Sequence, residues 1–137
     1  MGILIDASVL IEVERGNLDL AGKIKGREEE EFYLSVITAS ELLHGVWRAN
    51  DSKVRARRSA FVEAILERFP ILSIDLAVAR IHAQLWAELS AKGIAIGSHD
   101  SWLSASCIAY GYTLVTGNIR EFKKVPGLIV EDWTRKL

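Results

Sequence analysis

Three carboxylates stand where the chain passes from one regular element into the next. Asp6 follows the apolar run at residues 2–5 (GILI), and Val9, Leu10 and Val13 then recur at helical spacing until Gly16. Glu41 lies just past a second strand-like run, residues 32–37 (FYLSVI), where Thr38-Ala39-Ser40-Glu41 opens a helix. Asp100 ends a loop with two glycines, residues 93–100, and opens another helix. Asn118 follows a further strand-like run, residues 112–116 (YTLVT). Carboxylates brought together repel, and at least one takes up a proton unless they share a cation. Oxygen donors select Mg2+, or Mn2+, over zinc. His44, His82 and His99 are scattered and Cys107 is alone, so no zinc spacing is present.

Each acid also has a purely local reading. Asp6 and Asp100 are residue types that cap helices, and Thr38 with Glu41 spells a capping box, each side chain satisfying a backbone N–H of the first turn. Whether the acids meet depends on the elements that carry them. Residues 17–24 read as a short helix, and the acidic run 28–31 as a solvated connection. Residues 48–58 (RANDSKVRARR) read as a basic connection to a helix with Phe61, Val62, Ile65, Leu66 and Phe69 on one face, ended by Pro70. Residues 71–74 form a short strand, and Asp75 caps a helix whose Val78, Ile81, Leu85 and Leu89 face the core, closed by Gly93. Leu103, Cys107 and Tyr110 give the helix after Asp100 its buried side, and residues 128–130 form a last strand with Trp133 packed nearby.

Strands alternating with helices imply right-handed crossovers and a parallel sheet covered on both faces. In such a sheet ligands bind beyond the carboxyl ends of the strands. Asp6, Glu41 and Asn118 occupy those ends and Asp100 opens a helix beside them, so all four are expected at one edge.

The 137 residues suit one α/β domain spanning 1–137. Half the residues are hydrophobic and a quarter charged, as in soluble globular proteins. A net charge of −1 gives no global basic signature, so nucleic-acid contacts would have to be local. The first residues have neither the charge nor the length of a secretion signal or membrane span, and the single cysteine fits a reducing, cytoplasmic setting. A phospho-acceptor receiver domain would want paired acids after the first strand and a lysine after the last, and neither is clean here.

The runs 3–11 (ILIDASVLI), 34–45 (LSVITASELLHG), 96–100 (IGSHD) and 114–122 (LVTGNIREF), with the tail 125–133, resemble the PIN-domain ribonucleases, in particular the VapC toxins of prokaryotic toxin–antitoxin pairs. The resemblance implies a three-layer α/β/α fold with a central parallel sheet of four to five strands. It makes Asp6, Glu41 and Asp100 the catalytic, metal-centred acids, with Ser8, Thr116 and Asn118 lining the site. Asn118 stands where many members carry a fourth acid, and Ala7 where Thr or Ser is common. Glu121 either supplies the missing charge or is an exposed turn residue. The implied reaction is Mg2+-dependent hydrolysis of RNA to a 5′-phosphate and a 3′-hydroxyl. Arg120 is the expected phosphate contact, with Arg48, Lys53, Arg55, Arg57, Arg58, Lys123 and Lys124 as further cations. The resemblance also implies a homodimer and a VapB-like antitoxin partner. Other readings are a PIN nuclease of RNA maturation or decay, and an RNA- or protein-binding module that has lost catalysis. Trp47, Trp86 and Trp102 read as core or interface residues.

Overall fold

The computed structural model describes residues 1–134. Along the chain run β1 (Gly2–Ile5), α1 (Ala7–Glu14), α2 (Leu20–Ile24), β2 (Glu31–Ser35), α3 (Val36–Arg48) and α4 (Ser52–Arg68). There follow β3 (Ile71–Leu72), α5 (Leu76–Ala91), α6 (Ser98–Tyr110), β4 (Thr113–Val115), α7 (Ile119–Phe122) and β5 (Val130–Glu131).

Every residue of β1 is buried, because the strand lies in the middle of a five-stranded sheet of order β3-β2-β1-β4-β5. All pairings are parallel, with Leu4 opposite Tyr33 on one side and Leu114 on the other. Alternation along the strands divides the core. Ile3, Ile5, Leu34 and Val115 face Val9 and Leu10 of α1, Leu42 and Val46 of α3, and Val62 and Ile65 of α4. Leu4 and Leu114 face the other way, against Leu103 and Cys107 of α6 and Phe122 of α7. Each fully buried Leu or Ile contributes about 1.5–3 kcal/mol. The layered α/β/α fold expected from the sequence is therefore present.

Several boundaries differ from the sequence reading. The helix carrying Glu41 starts at Val36, not Thr38, because the Ser35 hydroxyl accepts the Ile37 N–H at 3.0 Å. The β-branched pair Val36-Ile37 reads as strand in isolation, but a serine cap overrides that propensity. The Thr38 hydroxyl is buried without a hydrogen-bond partner among the described residues, so the capping box does not form. Asp51 caps α4 through the Lys53 N–H at 2.8 Å, leaving a connection of only Ala49, Asn50 and Asp51. The basic stretch from Lys53 is thus helical. Charge density suggested a loop there, yet nothing in it breaks a helix. On α5 the core stripe is Val78, His82, Leu85 and Leu89, with Ile81 only half-buried. Tyr110 is 39% exposed rather than buried, and Trp47 and Trp86 are exposed while Trp133 is core. The last strand covers Val130–Glu131 instead of 128–130, and β3 is two residues long.

A polar clasp fixes β5. Arg27 grips both carboxylate oxygens of Glu131, at 2.8 and 3.0 Å, and the Trp133 indole donates to the same carboxylate at 3.0 Å. The backbone of Glu131 in turn accepts the Thr116 N–H at 2.9 Å, which anchors the exit of β4. Among the described residues no helix is long and apolar enough to cross a membrane.

Candidate active site

Strand order reverses across β1 and β4, since β2 lies to one side of β1 while the chain returns on the other. The carboxyl ends of these two strands form a crevice, and the fold places polar residues there. The Asp6 N–H donates to the Val115 carbonyl at 2.8 Å, so Asp6 and Thr116 leave the sheet side by side.

Asp6 is 6% exposed and occupies the N-cap position of α1, but its side chain makes no cap bond. Its Oδ2 accepts instead from the hydroxyls of Ser8 and Thr116, each at 2.8 Å. Those hydroxyls accept in turn from the backbone, Ser8 from the Gly117 N–H at 3.0 Å and Thr116 from the Asn118 N–H at 2.9 Å. Two peptide dipoles are thereby relayed onto one carboxylate oxygen. No hydrogen bond among the described residues reaches Oδ1, which leaves that oxygen available to a cation.

Glu41 lies one turn into α3, past the cap, and its Oε1 is 3.1 Å from Nδ1 of the exposed His99. Burial and then the charge of Asp6 push its carboxyl above the ordinary range, with His99 opposing and Asp100 adding to the rise. Asp100 sits in the first turn of α6, whose N-cap is Gly97, so the capping reading of Asp100 fails. Burial, then Asp6, then Glu121 push its carboxyl up to about 6. Acids drawn from distant parts of the chain are therefore close enough for the charge of Asp6 to act on both Glu41 and Asp100.

Glu121 belongs to this neighbourhood. Its carboxylate accepts from the Gly97 N–H at 3.2 Å and from Lys124 at 3.0 Å, and these contacts hold it below the usual carboxylate range. Lys124 also donates to the Ala95 carbonyl at 3.0 Å, pinning the loop that presents Asp100. Asn118 is the N-cap of α7 with no side-chain cap bond, and it is exposed, as is Arg120. Asn118 meets the site through its backbone.

His82 supports α6 from behind. Its ring stacks on Trp102 at 3.6 Å between centroids, and Nε2 lies 3.0 Å from the Ser101 hydroxyl. Ser101 gives its own proton to the Ser98 carbonyl at 2.7 Å, so His82 donates through Nε2, and burial holds its pKa below the usual value. The sequence reading set His99 and His82 aside as scattered. The adjacency of His99 to Asp100 and the helical register of His82 with Val78 and Leu85 were the available signals.

Among the described residues no three His, Cys, Asp or Glu side chains stand in ready ligating geometry around a common point. Asp6 rests on two hydroxyls and Glu41 on His99, the local donors open to carboxylates that repel. In chemistry the set fits a hard divalent cation: the donors are oxygens, one Asp6 oxygen is open, and Glu41 and Asp100 are raised by burial and then by the charge of Asp6.

An α/β/α layer fold with acids at the switch point of a parallel sheet places this chain among the doubly wound α/β domains that bind or act at the carboxyl edge of the sheet. The PIN domain profile matches residues 3–128, and the chain belongs to that family. It is 35% identical over 133 residues to Ribonuclease VapC1 of Rickettsia felis, covering 95% of each chain. It is 36% identical over 100 residues to the tRNA(fMet)-specific endonuclease VapC of Salmonella typhimurium, covering 73% of this chain and 74% of that one. Among solved structures, VapBC2 of Rickettsia felis bound to a promoter DNA fragment superposes with a TM-score of 0.88 at 26% identity, covering 97% and 99% of the two chains. DNA-bound VapBC of Salmonella typhimurium gives 0.87 at 27% identity, covering 97% and 98%.

Proposed function

We propose that this chain is an endoribonuclease of the VapC type, the toxin of a type II toxin–antitoxin pair, and that it hydrolyses RNA phosphodiester bonds with a divalent cation. Ribonuclease relatives over nearly the whole length support the activity, and the VapBC complexes among its structural neighbours support a VapB-like antitoxin as partner. A homodimer is part of the same reading. The observation that carries it is the meeting of acids from distant parts of the chain at the sheet's switch point, close enough that, after burial, the charge of Asp6 raises the carboxyls of both Glu41 and Asp100.

Asp6 and Asp100 would hold the cation, Mg2+ or Mn2+, with Glu41 beside them. When bound, the ion lowers the pKa of a water and polarises a phosphoryl oxygen. Glu41, its carboxyl raised above the ordinary range by burial and then by Asp6, would orient a water beside the cation and take its proton. Ser8 and Thr116 hold the Asp6 carboxylate in a single orientation. Attack in line with the departing 3′ oxygen leaves a 5′-phosphate and a 3′-hydroxyl.

The test is cleavage of labelled RNA by the purified protein in Mg2+, Mn2+ or EDTA. Asp6→Ala, Asp100→Ala and chelation should each lower the rate by roughly a hundredfold or more, as loss of a principal charge-stabilising group does. Equal rates in every arm end the proposal.

A further inference from the structure

The buried stripe of α5 is apolar at Val78, Leu85 and Leu89, and between them stands His82. Its Nε2 meets the Ser101 hydroxyl at 3.0 Å, and its ring lies flat on Trp102 with 5° between the planes. Both partners follow Asp100 directly in α6. We propose that His82 is a positioning residue for Asp100: through Ser101 and Trp102 it fixes the start of α6, and so the direction in which the Asp100 carboxylate meets a cation shared with Asp6. The inference rests on the nuclease reading and adds to it a residue from outside the acidic cluster.

The start of α6 needs such a tie. Its N-cap is Gly97, which has no side chain to accept a first-turn N–H. The ties from α7 reach only the preceding loop and the cap: Lys124 donates to the Ala95 carbonyl, and Glu121 accepts the Gly97 N–H. Ser101 spans the turn itself. Its hydroxyl donates to the Ser98 carbonyl at 2.7 Å, and its N–H to the Gly97 carbonyl at 2.9 Å. A serine hydroxyl turned back on its own helix has other rotamers open to it. The proton donated by His82 selects one of them, and Asp100 lies inside the span so held.

Packing alone does not account for a histidine here. A polar ring on a buried stripe gains nothing over leucine or phenylalanine unless its nitrogens are satisfied, and even then the net gain is small. What the imidazole provides, and an apolar side chain cannot, is a directed N–H on a flat ring. Burial also holds it neutral, so that Nε2–H is the group it presents to Ser101. The helix behind it is firm, since Leu85 and Leu89 pack with Val125 and Ile108 in a core of their own.

A second polar tie joins the same two helices at their other end, where the Tyr110 hydroxyl donates to Asp75. Losing either tie loosens the pair, but only His82 borders the turn that carries Asp100. The two ties therefore separate positioning from plain stability.

The experiment compares the full wild-type chain with His82→Phe, which keeps a ring for Trp102 but loses the donor, and His82→Gln, which keeps an N–H near Nε2. In EDTA, the amides of residues 101–103 should exchange about five- to tenfold faster in His82→Phe, with the rest of α6 unchanged. Binding of Mn2+, followed by the paramagnetic resonance of the free ion, should weaken about tenfold or more. RNA cleavage in Mg2+ should lose about tenfold in kcat, with KM within about twofold of wild type. His82→Gln should restore exchange, Mn2+ affinity and kcat to within about threefold of wild type. Tyr110→Phe, which cuts the remote tie, should leave Mn2+ affinity and kcat within about twofold whatever its Tm. Should His82→Phe fail to fold, Ser101→Ala removes the same bond from the other side. Folded variants with wild-type exchange at residues 101–103 and wild-type Mn2+ affinity overturn the inference, as does a His82→Gln protein no better than His82→Phe. Faster exchange at residues 101–103 in a protein whose wild type neither binds Mn2+ nor cuts RNA would leave the tie standing and remove the nuclease reading.

Discussion

Replacing Asp100 by Asn should make the metal-free protein more stable. The Asp100 carboxyl is pushed from the usual 3.8 to about 6, chiefly by burial and then by the charges of Asp6 and Glu121. Above pH 6 the folded chain must keep an ionised group where burial and like charge oppose it. A shift of this size corresponds to at most ~3 kcal/mol. Asp100 is half-buried, and solvent screening brings the figure to roughly 1–2 kcal/mol. Because the folded pKa lies above the unfolded one, the folded chain binds more protons between about pH 4 and pH 6. Stability therefore falls as pH rises through that window and levels off above it. Urea unfolding in EDTA at pH 8 should show Asp100→Asn more stable by ~1–2 kcal/mol, with an unchanged m value. The advantage should shrink towards zero as the pH is lowered to about 4. Added Mg2+ should stabilise the wild type by mass action and the variant much less. An Asp100→Asn protein that is less stable at pH 8, or whose difference from wild type does not change with pH, would refute the reasoning.

Thr116→Val should cost roughly 1–3 kcal/mol, measured by urea unfolding, because it orphans the Asn118 N–H and deprives Asp6 of a donor. It should also slow RNA cleavage by about tenfold through misorientation of Asp6, with KM little changed. Ser35→Ala removes the cap of α3 and should lower stability by ~1 kcal/mol. The urea midpoint reads that loss directly, and an unchanged midpoint would mean that Ser35 is not the cap.

Much of the fold was legible because a buried parallel strand leaves an apolar run and an amphipathic helix leaves a stripe. β1, with Asp6 at its exit, could be read from residues 2–6 alone. The start of α3 could not, since Val36-Ile37 has strand propensity and only the Ser35 hydroxyl, placed by the end of β2, decides for helix. The same local contest hid the meaning of Glu41: a capping box would have engaged its side chain, whereas the true cap lies upstream and leaves Glu41 facing the other acids. Only the first turns of α4, Ser52 to Arg58, were read as a connection, because the lysine and arginines there leave no apolar stripe to mark a helix. Topology gathered Asp6, Glu41, Asp100 and Asn118 at one edge, whereas Ser8 and Thr116 were expected only from the family resemblance, and their relay of hydroxyls from backbone to carboxylate depends on distances no spacing encodes. His99, in the first turn of α6, and Glu121, in the four-residue α7, enter the site through contacts between separate elements, which leave little trace in sequence periodicity.

The sheet order has a consequence for timing in the cell. β1 is made first, yet its neighbour β4 and the hydroxyl that steadies Asp6 come from about the last sixth of the chain, 110 positions later. At typical elongation rates of about 5–20 residues per second, the first strand waits on the order of 10 s for its other side. A nascent or prematurely terminated chain lacking Thr116 cannot assemble the crevice. A ribosome making this nuclease is thus spared its own product until translation is nearly finished, which gives a co-expressed inhibitor a head start.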